Sequence, residues 1–409
     1  MCLCGYEEII HYIIYHFPHF QLYIFVIEFD FGIFIENKNC MNEIEKISEL
    51  EDLLAANEDI YNYAFQGIDL KPFEPELESK TIANCLFLGC ELSIEFHQRL
   101  LSNKNIVIPN FDVPFKTSVS GLYTKEDLYN NFDCNEMESY YQTYDRIVYD
   151  HYSETGKGKP ASIYESLARR LHDHSITDAL MDKLNTVDSE KVIAIMGGHS
   201  LSRESEDFLR VVKIAKKLAE KDYFLISGGG PGAMEATHLG VWFAEREMHE
   251  LEEALDILKK APTYDDEYWL STAFELMKKY PRKVNKKKDI GIPTWLYGHE
   301  PPTPFASQIA KYFANSVREE GLLALAKGGV IYAPGSAATI QEIFQDAAQN
   351  HYKPYLIASP MIFLNSYFWG IDKPVYPLLK QLAVGYEYAD MIQIFDTEDE
   401  VVDYIISVS

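Results

Sequence analysis

From residue 190 onward the chain repeats one unit: a short apolar run, a glycine-rich turn, then an amphipathic stretch. The first run, 191–196 (KVIAIM), ends at Gly197–Gly198. The second, 223–227 (YFLIS), ends at Gly228-Gly229-Gly230-Pro231-Gly232. The third, 329–332 (GVIY), ends at Pro334–Gly335. Runs of four to six apolar residues closed by glycine read as buried strands. The stretches after them, 206–220, 233–247 and 338–350, have the apolar spacing of helices. Strands alternating with helices predict right-handed βαβ units and a parallel sheet with helices on both faces, a Rossmann-like α/β fold. Turns of this kind gather at the carboxyl edge of such a sheet, where ligands bind. Glycine lets an anion approach the main chain, and the amides and dipole of the following helix then face it.

Further along the same half, 290–296 (IGIPTWL), 354–357 (PYLI) and 391–395 (MIQIF) read as strands and 305–326 as a helix. An insertion over 248–289 ends in a basic cluster, in which Lys278, Lys279, Arg282, Lys283, Lys286, Lys287 and Lys288 are seven basic residues in eleven. In so acidic a chain such a cluster could hold phosphate, but a solvated loop is the plainer reading.

The rest of the chain divides into three parts. Residues 41–155 read as a smaller α/β domain, with strands at 81–88 and 106–108 and helices at 93–101 and 122–129. A polar linker at 154–160 (ETGKGKP) and an amphipathic helix at 162–184 lead into the large domain at 190–409. Residues 1–40 are rich in Ile, Phe and Tyr, but Pro18, His16, His19, Glu28 and Asp30 break any membrane-spanning run, and no Lys or Arg precedes Lys38. This stretch reads as foreign to the fold, with Met41 as the expected start and a peripheral aromatic hairpin as the alternative. No internal repeat is evident.

The chain has 409 residues, with 37 Lys+Arg against 63 Asp+Glu and a formal net charge of −26. This excludes the broad basic face that nucleic acid or anionic lipid requires. A small anionic ligand held by backbone amides remains open. The six cysteines form no paired CxxC array, which argues against a zinc site or disulfide framework and for reduced thiols in a cytoplasm.

Two of the glycine turns carry a resemblance. SGGGPGAMEA at 227–236 together with PGSAATIQE at 334–342 resembles the LOG-like nucleotide-binding proteins, long labelled lysine decarboxylases, which include nucleoside 5′-monophosphate phosphoribohydrolases. The resemblance covers 190–360 and stops short of the N-terminal domain. The family motif PGGxGTxxE keeps Pro334, Gly335, Thr339 and Glu342 here, whereas Ser336 and Ala338 stand where the motif has glycines. Ala338 fits if its position needs no positive φ. Arg318 matches the family's arginine on the helix before the motif.

The resemblance implies cleavage of the N-glycosidic bond of a nucleoside 5′-monophosphate to free base and ribose 5-phosphate, with neither metal nor cofactor, in a homo-oligomer. Glu342 and Arg318 are the implied catalytic pair. Gly197, Gly198, Gly228, Gly229, Gly230, Gly232, Glu235, Gly335, Ser336, Ala337, Ala338 and Thr339 are the expected nucleotide-binding positions. His199, His299 and Glu300 are candidates for the pocket wall, while Trp295, Tyr297 and Phe305 read as core. The competing reading is a module of the same fold that binds a nucleotide without turning it over.

Overall fold

A computed structural model describes residues 41–56, 58–283 and 288–408. The readings made for residues 1–40, and for Lys286 and Lys287 of the basic cluster, lie outside them.

Seven strands form the large sheet: β7 (Val192–Met196), β8 (Phe224–Ser227), β9 (Asp289–Gly291), β10 (Gln308–Ile309), β11 (Gly329–Tyr332), β12 (Met361–Leu364) and β13 (Ile392–Phe395). Their order is β10-β9-β8-β7-β11-β12-β13, and every neighbouring pair is parallel. The chain enters at β7 in the middle, builds outward through β8 to β10, then returns to the other side of β7 and builds outward again. This is the Rossmann-like doubly wound plan the glycine turns predict.

Strand geometry explains how the sheet is covered on both faces. Side chains alternate across a strand. Ala194 and Met196, Val330 and Tyr332, and Met361 and Phe363 point into one core. Ile193 and Ile195, Ile331, and Ile362 and Leu364 point into the other. The second core is closed by α7 (Glu206–Glu220), α8 (Ala233–Trp242), α9 (Met248–Leu258), α10 (Trp269–Lys279) and α14 (Glu398–Val408). The first is closed by α6 (Ile163–Asn185), α11 (Asn315–Leu325), α12 (Ala337–Tyr352) and α13 (Val375–Leu382). Phe115, Tyr123, Val148 and Tyr152 also lie in that first core, so chain N-terminal to residue 155 packs directly on the large sheet.

The smaller sheet shows a repeat that the sequence reading missed. Strands β1 (Asn42–Ile44), β3 (Tyr63–Gln66), β5 (Leu86–Leu88) and β6 (Ile106–Ile108) lie parallel in that order, and β2 (Ile60–Tyr61) pairs with β4 (Ile82–Ala83). Ile44 pairs with Phe65, Phe65 with Phe87 and Phe87 with Val107, in steps of 21, 22 and 20 residues. These are the rungs of a short solenoid. One corner of each rung is left-handed, at Asn62, Asn84 and Lys104 with φ of 61, 56 and 61°. Asn84 donates its amide to Asn62 across the corner, and the Phe65 and Phe87 rings stack at 4.8 Å. Helices α1 (Ile47–Ala55), α2 (Glu74–Glu78) and α3 (Ile94–Leu100) form the outer limbs. The period is hard to see because it fixes only a few positions, such as Ile60/Ile82, Asn62/Asn84, Phe65/Phe87 and Gly67/Gly89.

Several expected elements change. The strand expected at 81–88 divides into β4 and β5 at left-handed Asn84. The helix expected over 233–247 stops at Trp242. The strand expected at 290–296 ends at Gly291. The helix expected over 305–326 is replaced by edge strand β10 and the shorter α11. Phe305, Ile309, Tyr312 and Phe313 are all buried, so an extended chain pressed into the core mimics helical spacing. The expected strand 354–357 is a turn with left-handed Leu356 (φ 66°), and the true strand is the fully buried MIFL of β12.

Candidate functional site

The order of strands decides where the turns meet. The winding of the chain reverses between β7 and β11, and in such sheets the carboxyl ends of the strands that flank the reversal are where a ligand crevice forms. The turn after β7 holds Gly197, Gly198 and His199, and the turn after β11 holds Pro334, Gly335 and Ser336. They are joined directly, the Gly198 amide donating to the Pro334 carbonyl at 3.0 Å. The turn after β8, Gly228 to Gly232, lies alongside, the Ala233 amide donating to the Gly198 carbonyl at 3.1 Å.

Glycine is required at two of these places for different reasons. Gly232 has φ 68°, and a Cβ there would collide with the Gly198 and His199 carbonyls. Gly335 is crowded by Thr339, whose side chain occupies the space a Cβ would take. Ser336, Ala337 and Ala338 form the exposed N-terminal end of α12. Neither Ser336 nor Ala338 has positive φ, so the backbone accepts both without the glycines of the family motif. The first-turn amides of a helix have no intrahelical acceptor, and its dipole favours an anion there.

Arg318, on α11, and Glu342, on α12, pair beside these turns. Arg318 Nη1 donates to Glu342 Oε1 at 3.2 Å, and both side chains are about nine-tenths buried. The guanidinium also lies against the β8 turn, its Nη2 3.5 Å from where a Gly228 Cβ would stand. Its Nε is buried with no hydrogen-bond partner among the described residues. Burial pushes the Glu342 carboxyl up to about 7 against the pull of Arg318, and nearby Glu319 adds to the rise.

A second group meets over the β8 turn. Glu300 Oε1 is 3.5 Å from His199 Nδ1 and 3.7 Å from His299 Nε2, and Glu300 Oε2 is 3.8 Å from where a Gly230 Cβ would stand. Burial raises the Glu300 carboxyl, while the two histidines and Arg318 oppose the rise. The structure therefore brings together all three candidates for the pocket wall.

Other expectations are corrected. Glu235 does not reach the crevice. It is fully buried, and both its oxygens are taken by Arg203, at 2.5 and 3.0 Å. The glutamate after a glycine turn here is half of a structural ion pair. Tyr297 is not core: it is 37% exposed and close enough to Arg318, Glu300 and Glu342 to sense their charges. Trp295 and Phe305 are fully buried, as expected. Four described members of the basic cluster are held in ion pairs: Lys279 and Lys283 with Glu253 and Glu250, Arg282 with Asp289, and Lys288 with Asp222.

Sequence reasoning also missed residues at and behind the site. Tyr264, in the insertion, packs edge-on to His199 at 5.5 Å. Lys373 donates to the Gly335 carbonyl at 3.1 Å. Nothing local in TYDD or DKP marks either residue as part of a site. Beneath the β8 turn, Ser227 Oγ lies 2.8 Å from His238 Nε2, and His238 Nδ1 lies 2.7 Å from Asp289. This has the connectivity of a nucleophilic triad, but all three are fully buried and Ser227 Oγ already accepts the Gly229 amide at 3.1 Å. It anchors the turn from below. Burial works against charge on Asp289, yet Arg282 and His238 hold its carboxyl below the usual range. On the far side, the two oxygens of Asp173 accept the Phe313 and Ala314 amides, each at 2.8 Å, and so fix the start of the helix that carries Arg318.

No protein-family model matches the chain, and no curated protein sequence matches it. Among solved structures it is similar to the molybdenum cofactor binding protein of the phototrophic bacterium Rippkaea orientalis, at 15% identity over 53% of this chain and 96% of that one, with a TM-score of 0.33. It is similar also to the molybdenum cofactor carrier protein of Chlamydomonas reinhardtii, at 13% identity over 53% and 96% of the two chains, with a TM-score of 0.34.

Proposed function

We propose that the crevice between β7 and β11 binds a nucleoside 5′-monophosphate and that the protein hydrolyses its N-glycosidic bond. The observation that carries this reading is the Arg318–Glu342 pair, buried beside two glycine turns and an exposed helix N-terminus. The phosphate belongs at the first turn of α12 with the Gly197–Gly198 and Gly228–Gly230 turns around it, where amides and a helix dipole favour an anion. The ribose then lies towards Glu342.

The chemistry follows from charge. As the C1′–N bond breaks, positive charge develops on the ribose, and a carboxylate beside it stabilises that state. Ionised Glu342 also orients a water and takes its proton as the water oxygen bonds to C1′. The base leaves with the bonding pair and takes up a proton from solvent, and Glu342 returns its own proton to solvent. A carboxyl near 7 suits both roles at neutral pH. Arg318 holds Glu342 in place and contributes positive charge on the phosphate side.

The test is incubation with a panel of nucleoside monophosphates and chromatography for free base, with Glu342→Gln as the control. Base release that depends on Glu342 supports the reading. Nucleotide binding with no release from any substrate identifies a binding module instead.

A further inference from the structure

The loop that follows β9 carries Glu300 and sits over the turn that follows β8. Backbone contacts hold it there: the Thr303 amide donates to the Gly229 carbonyl and the Glu300 amide to the Tyr297 carbonyl, each at 2.8 Å. The Tyr129 hydroxyl donates to the Pro302 carbonyl, and Pro301 and Pro302 fix two further φ angles. Glu300 is thus presented on a well-anchored segment, and its side chain is 13% exposed.

Counter-charge is present around this carboxylate, but donated hydrogen bonds are not. His199, His299 and Arg318 attract its charge and Asp265 opposes it. The two histidine nitrogens stand 3.5 and 3.7 Å from Oε1, and no hydrogen bond to either oxygen forms among the described residues. A carboxylate accepts through both oxygens, and a largely buried one needs donors. Here they come from outside the chain.

The sheet places this open acceptor where a base belongs. In the order β11-β7-β8-β9, the proposed phosphate position lies between the first two strands and Glu300 over the last two. The separation is two strand spacings, about 10 Å, which a nucleotide spans from its 5′-phosphate across the ribose to the base. Tyr264 and Tyr297 stand close enough to Glu300 to sense its charge. Among the common bases only guanine presents two adjacent N–H donors on one edge, at N1 and the 2-amino group, a fork that fits the two carboxylate oxygens. Adenine and cytosine set a ring acceptor beside their amine, uracil has one N–H between two carbonyls, and hypoxanthine lacks the amine.

We infer that Glu300 reads the base and that the site takes a guanine nucleotide, the carboxylate accepting from N1 and the 2-amino group while a flanking histidine donates to O6. This rests on the nucleotide reading above and adds the base to it.

Titration calorimetry of the full chain with the 5′-monophosphates of guanosine, inosine and adenosine tests it. Guanosine monophosphate is expected to bind at least about 10-fold more tightly than inosine monophosphate, which lacks only the 2-amino group. It is expected to bind at least about 100-fold more tightly than adenosine monophosphate, whose ring acceptor faces the carboxylate. Glu300→Gln is the decisive variant. An amide offers one acceptor and one donor, the complement of adenine's amine and the ring nitrogen beside it. The preference is therefore expected to pass from guanine to adenine, whereas a merely structural loss weakens all three ligands alike. The same titrations in Glu342→Gln guard against consumption of the ligand. Equal affinity for the three monophosphates, or a guanine preference that survives Glu300→Gln, would overturn the base assignment and leave the nucleotide reading standing. No binding of any monophosphate would overturn both.

Discussion

In the proposed hydrolysis Glu342 carries the chemistry, and its proton is the quantity to follow. The carboxyl has been pushed from 4.5 to about 7 by burial, so the ionised form needed to take a proton from water accumulates only as the pH passes about 7. The expected kcat/KM profile therefore rises through pH about 7, and Glu342→Gln lowers the rate at least about 100-fold while nucleotide binding persists. The same shift governs stability. Folding raises this pKa, and that of Asp346, which burial also pushes to about 7 one helical turn further on. Each contribution is fully present below the unfolded value and is lost as the pH rises through about 7. Urea unfolding is expected to show stability falling from pH 5 to pH 8, with a shallower fall in Asp346→Asn. Arg203 supplies a contrasting prediction. Arg203→Ala leaves Glu235 buried and unpaired, a loss of about 3–5 kcal/mol measurable by the same unfolding experiment.

The elements differ in how plainly their residues announce them. Strands β7, β8 and β11 are buried on both faces, so their apolar runs are continuous and legible, as are the glycines that end them. Edge strand β10 is two residues long and hidden in a run whose burial mimics a helix. The solenoid escapes notice because backbone corners, rather than side-chain identities, carry its repeat, and one corner is a lysine. That lysine is a testable flaw. Lys104 holds φ 61° on an exposed corner, so Lys104→Gly is expected to raise stability by about 1 kcal/mol, read as a higher denaturation midpoint. The site divides in the same way. Arg318, Glu342 and the turns are legible because motif and helix spacing place them. Tyr264, Tyr297 and Lys373 are not, since they arrive from distant segments by tertiary packing. Glu235 shows the converse: its position beside a glycine turn fits a ligand role, and only the buried Arg203 shows otherwise.

At the scale of the whole molecule, the proposal asks a chain of net charge −26 to hold an anionic ligand on backbone amides, one arginine and a helix dipole, while Lys279 and Lys283 of the basic cluster are in ion pairs elsewhere. Long-range repulsion therefore opposes the approach of a nucleotide, and added salt screens it. Stopped-flow association is expected to quicken as salt rises, the reverse of a site lined by lysines. The proposed site between the β7 and β11 turns recognises a nucleotide through its phosphate. Titration calorimetry comparing a nucleoside 5′-monophosphate with the same nucleoside, in the wild type and in Arg318→Ala, tests it most directly. The monophosphate is expected to bind at least about 100-fold more tightly than the nucleoside, and Arg318→Ala to remove most of this difference. Equal affinity for nucleoside and nucleotide, or no binding of either, would contradict it.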